Sequence, residues 1–398
     1  MKKQAFCHLA LYLVVIFLLV LLSKCTIHPP SDDYSLTTID IENAIINNEP
    51  LLLSDIAQGN IEYIKLDSNV DCLLGKNVRI YLNDSALIAF ANNQIYLFDR
   101  ETGAFLKEIG SQGSDPNGYR STLYSFPYDH DRNKFYANSW FPNSFNEYDI
   151  SGNLISKFVV EPEDGPVTSM AHFKDSIFVG HIWNYDGKQK IRLVVFDKMG
   201  TIIKTYPQFL GFEYDMNIHG ISVLHWDGWF YKYSSNLYFF ERFSDTIFVL
   251  SPESMLPRYV FSNGTFGIPY SKRYEKEYLS NPYNYLNFRS IFESQRFLVF
   301  TYSYQKKLNY GIYDKVKKKT LVSDSVGGLI NDLDNFLPFN FYSVNDRNEI
   351  IGFKEAFEIK EWFNENPEKI QKLPPHLQRL NNIDEMDNPV VMIVKLKE

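Results

Sequence analysis

The feature that most constrains this chain is a pattern that keeps returning along it. An aromatic or β-branched run, an Asp or Ser, a short turn and a second run occur at 95–109, 145–158 and 193–206, with looser copies at 247–261 and 310–322. Alternating apolar residues on either side of turn-forming residues read as β-hairpins. The residues that open the turns are Asp99, Asp149, Asp197, Ser251 and Asp314, at intervals of 48 to 63 residues. A second hairpin series runs in phase, with turns near Asn83-Asp84, Asp131, Asp175, Asp227-Gly228, Ser294 and Asp346. Two hairpins make four strands per unit, and a strand at 390–397 starts the last hairpin of a sixth unit without its outer arm. That period and strand count predict an all-β chain folded as a six-bladed β-propeller. A strand at 61–67 has no partner upstream of the first unit. Setting it beside 390–397 closes the ring and removes the edge that an open array would expose.

Composition agrees with this reading. The 398 residues are 45% hydrophobic and 16% aromatic, which suits stacked sheets better than a helical bundle. Length alone suggests two or three domains, but a propeller spends such a length on one. The net charge of −8 argues against a general nucleic-acid binder, whose basic surface must displace counterions. Three cysteines cannot build a disulfide framework.

The N-terminus carries an address. Lys2 and Lys3 precede an apolar run at 9–22, shorter than the 20 or so residues a spanning helix needs and within the range of a signal-peptide core. The run ends in Leu22-Ser23-Lys24-Cys25, which resembles a bacterial lipobox, with Cys25 as the lipidated residue. Lys24 departs from that pattern, where Gly, Ala or Ser is usual. The chain therefore divides into a lipoprotein-type signal at 1–24, a flexible polar tether at 25–50 and the propeller at 51–398. Asp32 and Asp33 resemble the acidic surface-export signal of Bacteroidetes lipoproteins.

Several stretches are similar to the Bacteroidetes six-bladed β-propeller lipoprotein family, an NHL-like propeller of generally unassigned role. They are LSDIAQGNIEYIKL (53–66) with DCLLG (71–75), the glycine loop GSQGSDPNGY (110–119), SDTIF (244–248) and the ending DNPV (387–390). The resemblance spans about residues 50–398. It implies the propeller fold and an envelope location, most simply the outer membrane, on its periplasmic or its surface side. It brings no catalytic set and no cofactor.

A propeller sorts its loops between two faces. Here one face carries tight turns rich in Asp, Asn and Gly. The other carries the long connections at 110–120, 207–220, 262–288 and 326–338, and the second-to-third-strand loops at 139–144, 183–190 and 357–388. Function concentrates on long loops held by a rigid scaffold, so the binding face is expected there. Trp140, Phe141, Trp183, Tyr185 and Trp362 are its candidate aromatic contacts, suited to stacking on sugars, with Arg120 as a hydrogen-bonding partner. The bland alternative for each is packing at the blade tops. Helices are expected at 271–279 and 354–364, while Pro374-Pro375 interrupts 368–380. The eye-catching His225-Trp226-Asp227-Gly228-Trp229 reads as a hairpin turn plus core.

Recognisable catalytic chemistry is thin. No Walker loop, dinucleotide fingerprint, HExxH or GxSxG element occurs, and no Cys or His pair has zinc spacing. Tyr128-Asp129-His130-Asp131-Arg132 reads as a solvated polar turn rather than a metal or acid–base cluster. The acidic run 331–335 lacks the Gly and distal Glu of a calcium loop. The leading expectation is a non-catalytic envelope lipoprotein, anchored to the membrane by lipid, that binds a glycan, peptide or envelope protein. A hydrolase or lyase with its site at the channel mouth is the alternative, followed by a structural subunit of an outer-membrane complex.

Overall fold

The computed structural model describes residues 35–47, 49–123, 126–139, 143–214, 228–323 and 327–398. The hairpins form where turn chemistry dictates. The Asp99 carboxylate accepts the backbone N–H of Glu101 and Thr102. Asp197 does the same for Met199 and Thr201, and Asp314 for Val316 and Lys317. Ser251 repeats the arrangement with its hydroxyl, which accepts from Glu253 and Ser254. These short polar side chains satisfy turn N–H groups that no strand reaches, which is why Asp or Ser recurs there.

Six antiparallel four-stranded sheets result. Blade 1 comprises Arg79–Leu82, Ala86–Ala91, Gln94–Asp99 and Phe105–Glu108. Blade 2 comprises Tyr128–Asp129 with Ser121–Thr122 as its broken inner strand, then Lys134–Asn138, Ser144–Asp149 and Leu154–Val159. Blade 3 runs through Val167–Lys174, Ile177–Ile182, Ile191–Asp197 and Ile202–Pro207. Blade 4 runs through Gly228–Tyr233, Asn236–Glu241, Thr246–Leu250 and Met255–Ser262. Blade 5 holds Asn287–Glu293, Phe297–Tyr304, Lys307–Asp314 and Lys319–Ser323. Blade 6 holds Phe341–Val344, Glu349–Lys354, Val390–Leu396 and, as its outer strand, Ala57–Lys65.

The core lies between blades. Each of six apolar clusters draws on two adjacent sheets, and together they pass once round the ring. Phe90 of blade 1 packs with Phe135 and Tyr148 of blade 2, and Phe158 of blade 2 with Phe178 of blade 3. Val195 meets Phe239, Phe261 meets Phe288 and Phe300, and Val299 meets Ile350 and Val394. Ile351 and Val391 of blade 6 return to Ala89 and Phe98 of blade 1. Each such buried side chain contributes about 1.5–3 kcal/mol relative to exposure.

The seam is where sequence leftovers predicted it. Ala57–Lys65 pairs antiparallel with Val390–Leu396, from Ala57 opposite Leu396 to Lys65 opposite Val390. Asn388 reinforces the join: its amide nitrogen donates to the Asp67 and Cys72 carbonyls, while its oxygen accepts from the Leu74 N–H. Cys72 is buried and unpaired with another cysteine.

Three expectations need correction. The stretch 25–50 is not tether throughout. Thr37–Asp40 adds a fifth, parallel strand to the outer edge of blade 4, with Ile39 opposite Phe261. A helix, Ile41–Asn47, follows, with its Asn43 N–H capped by Asp40. Ile39 and Ile41 are fully buried, so the compact unit that holds the propeller takes in residues from 37 rather than 51. Second, the blade 4 turn is Ser234-Ser235, both at positive φ, and not Asp227-Gly228. Gly228 opens the inner strand because a Cβ there would meet the His181 ring at 2.5 Å. Third, the insertion at 271–279 is not one helix but two short pieces, a 3₁₀ turn at Tyr270–Lys272 and an α-helix at Lys276–Ser280. The helix expected at 354–364 is present as Ala356–Glu365. Among the described residues, no helix is long and apolar enough to cross a membrane.

Candidate functional site

The inner strands surround an axial cavity of about 910 Å³. That is at the upper end of the range for small-molecule pockets. Its walls are aromatic: Tyr81 and Phe90 from blade 1, Trp229 and Tyr231 from blade 4, and Tyr342 and Phe353 from blade 6. Successive residues of an inner strand alternate in direction, so every second side chain can face the axis; blades 1, 2, 4, 5 and 6 supply the lining residues. Trp229 stacks on Phe240 at 5.8 Å, and the Arg242 guanidinium lies 5.4 Å from the centre of its ring.

The long-loop end is rich in amides. Asn77, Asn92, Asn93, Asn138 and Asn340 contribute to the lining there, with Lys76 and Arg289. A side-chain amide offers a donor and an acceptor together, as a hydroxyl does. Asn92 and Asn93 form the two-residue turn of blade 1 at φ 51 and 62, a left-handed geometry that Asn tolerates well. Glu355 and Glu358 complete this end. They begin the helix Ala356–Glu365, where Glu358 accepts the Glu355 N–H at 3.0 Å. Burial, then the Glu358 charge, raises the Glu355 pKa. Lys354 donates to the Gly327 carbonyl at 2.9 Å, and burial lowers its pKa against the opposing pull of Glu358.

The tight-turn end is ionic. Lys232 donates to Asp129 and to Asp131, each at 2.9 Å. His130 lies 2.8 Å from Asp346 and 3.3 Å from Asp131, and His172 Nδ1 lies 3.3 Å from Asp129. The stretch read as a solvated turn is therefore half core, since Asp129 is fully buried. His130, Asp131 and Asp346 also have a metal-capable arrangement, but their charges already answer one another and Lys232.

A second buried cluster lies between blades 3 and 4. The Arg192 guanidinium sits 2.6 Å from Glu241 and over the rings of Phe209, Phe239 and Phe248. Tyr270 donates to Glu241 at 2.6 Å. Burial, with the nearby Arg192 and Arg273 charges, holds His181 at a pKa of about 4 despite Glu241. None of these residues lines the axial cavity, and the cluster reads as a structural joint.

Of the candidate binding residues singled out in the sequence, the described ones stand outside the cavity lining. Trp140, Phe141 and Cys25 lie outside the described residues. Trp183 is buried and packs 5.7 Å from the half-exposed Tyr185. Trp362 packs edge-on to Phe336 at 4.6 Å within the small core under the blade 6 insertion. Arg120 is exposed, and its N–H donates to the Asn138 carbonyl. None of these four lines the cavity, although Arg120 borders it through Asn138. Trp229 and the amides were missed. Their only sequence signal was position: Asn77, Trp229 and Asn340 stand at or just before the start of an inner strand, and Asn92, Asn93 and Asn138 at or just after the end of a second strand.

Comparison with known proteins gives the following. The family model described as a domain of unknown function, DUF4934, matches residues 36–395. No curated protein matches. The crystal structure of a Bacteroides fragilis protein inferred to be exported is similar over 92% of this chain and 100% of that one, at 19% identity and a TM-score of 0.66. Dihydro-heme d1 dehydrogenase NirN overlaps 69% of this chain and 54% of that one at 13% identity, with a TM-score of 0.34.

Proposed function

This chain belongs to the DUF4934 family, and on that premise we propose that it is an exported, lipid-anchored propeller that binds a glycan in its axial cavity without transforming it. The cavity carries the reading. Flat aromatic walls take the C–H faces of sugar rings, and a rim of side-chain amides pairs with hydroxyls. The similar Bacteroides fragilis protein, inferred to be exported, supports the location, as do the apolar run at 9–22 and Cys25. Cys25→Ser is expected to release the protein from the membrane fraction; a variant still sedimenting with membranes would remove the lipid anchor from the proposal.

The binding test is a titration of tryptophan fluorescence with oligosaccharides. A saturable shift is expected. Trp229→Ala should weaken binding at least about tenfold, the loss of one well-packed aromatic contact. A flat response to the whole panel would replace the glycan with a protein partner docking on the long-loop face.

A further inference from the structure

The two ends of the cavity differ in a way that decides how a ligand enters. At the tight-turn end, side chains from blades that are not neighbours meet. His130 of blade 2 bonds to Asp346 of blade 6 at 2.8 Å. Lys232 of blade 4 donates to Asp129 and Asp131 of blade 2. Blades 1 and 3 stand between these partners in the ring, so the bonds must run through the axial space. The three alternate blades 2, 4 and 6 are thereby joined by one continuous network.

This network is a plug with a dry inner layer. The Asp129 side chain is 0% exposed and that of Lys232 5%. A carboxylate and an ammonium at an open channel mouth would stay hydrated, because removing each from water costs several kcal/mol. The outer layer faces solvent, with Asp346 62% and Asp131 46% exposed. Above the plug, Phe126, Phe230 and Tyr231 are buried. At the opposite end, Lys76, Asn92, Asn93 and Arg289 are all exposed. Exposure thus falls from the long-loop mouth to the inner layer of the plug.

We infer that the cavity is a blind pocket entered only from the long-loop face, and that it takes the terminal residues of a glycan chain rather than an internal segment. This rests on the glycan-binding function proposed above and adds its mode. A through-channel can thread a chain, and a surface groove can clasp its middle. A well closed at the bottom admits an end. The walls stack on the terminal rings while the amide rim meets the hydroxyls of the ring that leaves.

The experiment presents the full chain, in detergent micelles, to an array of oligosaccharides tethered through their reducing ends. Each terminal residue is offered free and O-methyl-capped, at several chain lengths, with cyclic glucans as end-less probes. The expected hits share a terminal residue, lose at least about tenfold in affinity on capping, and gain little with added length. Hits that share an internal motif, or cyclic glucans bound as well as linear ones, would overturn the blind-pocket mode and leave glycan binding standing. An array without hits would overturn both.

Discussion

The floor and the mouth of the axial cavity are made from different parts of the same repeat. The floor comes from the short first turns of blades 2, 4 and 6. Ionic side chains from blades 2, 4 and 6 therefore converge on the axis. The mouth comes from second turns and connections of unequal length, from the two residues Asn92-Asn93 to the whole insertion between Lys354 and Val390. The regular half of the repeat locks one end, and the irregular half shapes the other. Floor residues should consequently govern stability, and rim residues affinity.

The largest way to break this comparison removes the scaffold that separates the two ends. Deleting 390–398 takes away the strand between Glu349–Lys354 and Ala57–Lys65. The expected result is no cooperative melt by circular dichroism; a shortened protein melting as the intact one does would refute closure of the ring by this strand. Next comes Lys232→Met, which keeps the side-chain volume but leaves Asp129 buried without its cation. About 3–5 kcal/mol should be lost in denaturant unfolding, against less than about 0.5 kcal/mol for Arg289→Ala at the rim. Equal losses at the two sites would erase the distinction between floor and mouth.

The smallest effect concerns pH. Burial lowers the His130 pKa, but its hydrogen bond to Asp346 and the charges of Asp346, Asp131 and Asp129 raise it overall above 6.5. A histidine held protonated by folding contributes its full stability below the unfolded pKa and loses it as pH rises through the folded one. The melting temperature should therefore fall as the pH rises through and above about 6.5, by the equivalent of less than about 1 kcal/mol for this partly exposed pair. His130→Gln should flatten that slope; an unchanged slope would show that the floor does not titrate through His130.

What the sequence disclosed follows from how local each signal is. Asp99, Asp197 and Asp314 bond to N–H groups two to four residues on, so their role could be read from neighbours alone. The seam was legible because a strand without a partner at one end matched a missing arm at the other. The blade 4 turn was misplaced because Ser234-Ser235 carries no Gly or Asn, while Asp227-Gly228 carries both common cues of a turn. Asp129 looked solvated because polar turn residues usually are. Its cation, Lys232, is 103 residues away and arrives only when the ring closes. The same holds for Trp229 and the amides: each is ordinary in its own blade, and only the circle makes them a lining.

The seam also sets an order of events. The four antiparallel strands of each of blades 1 to 5 are close in sequence, whereas Asn388 bonds to a carbonyl 321 residues earlier. Loop closure on that scale costs entropy before any contact repays it, so it is expected late. During synthesis, Ala57–Lys65 leaves the ribosome before blades 1 to 5 and must wait for all of them before its partner exists. Until then its edge and that of the unfinished ring stay open to mispairing. Asp346 reaches His130 only as blade 6 takes its place, so the pocket acquires its floor in the last step of folding. An interrupted chain would therefore have several good blades and nowhere to hold a ligand.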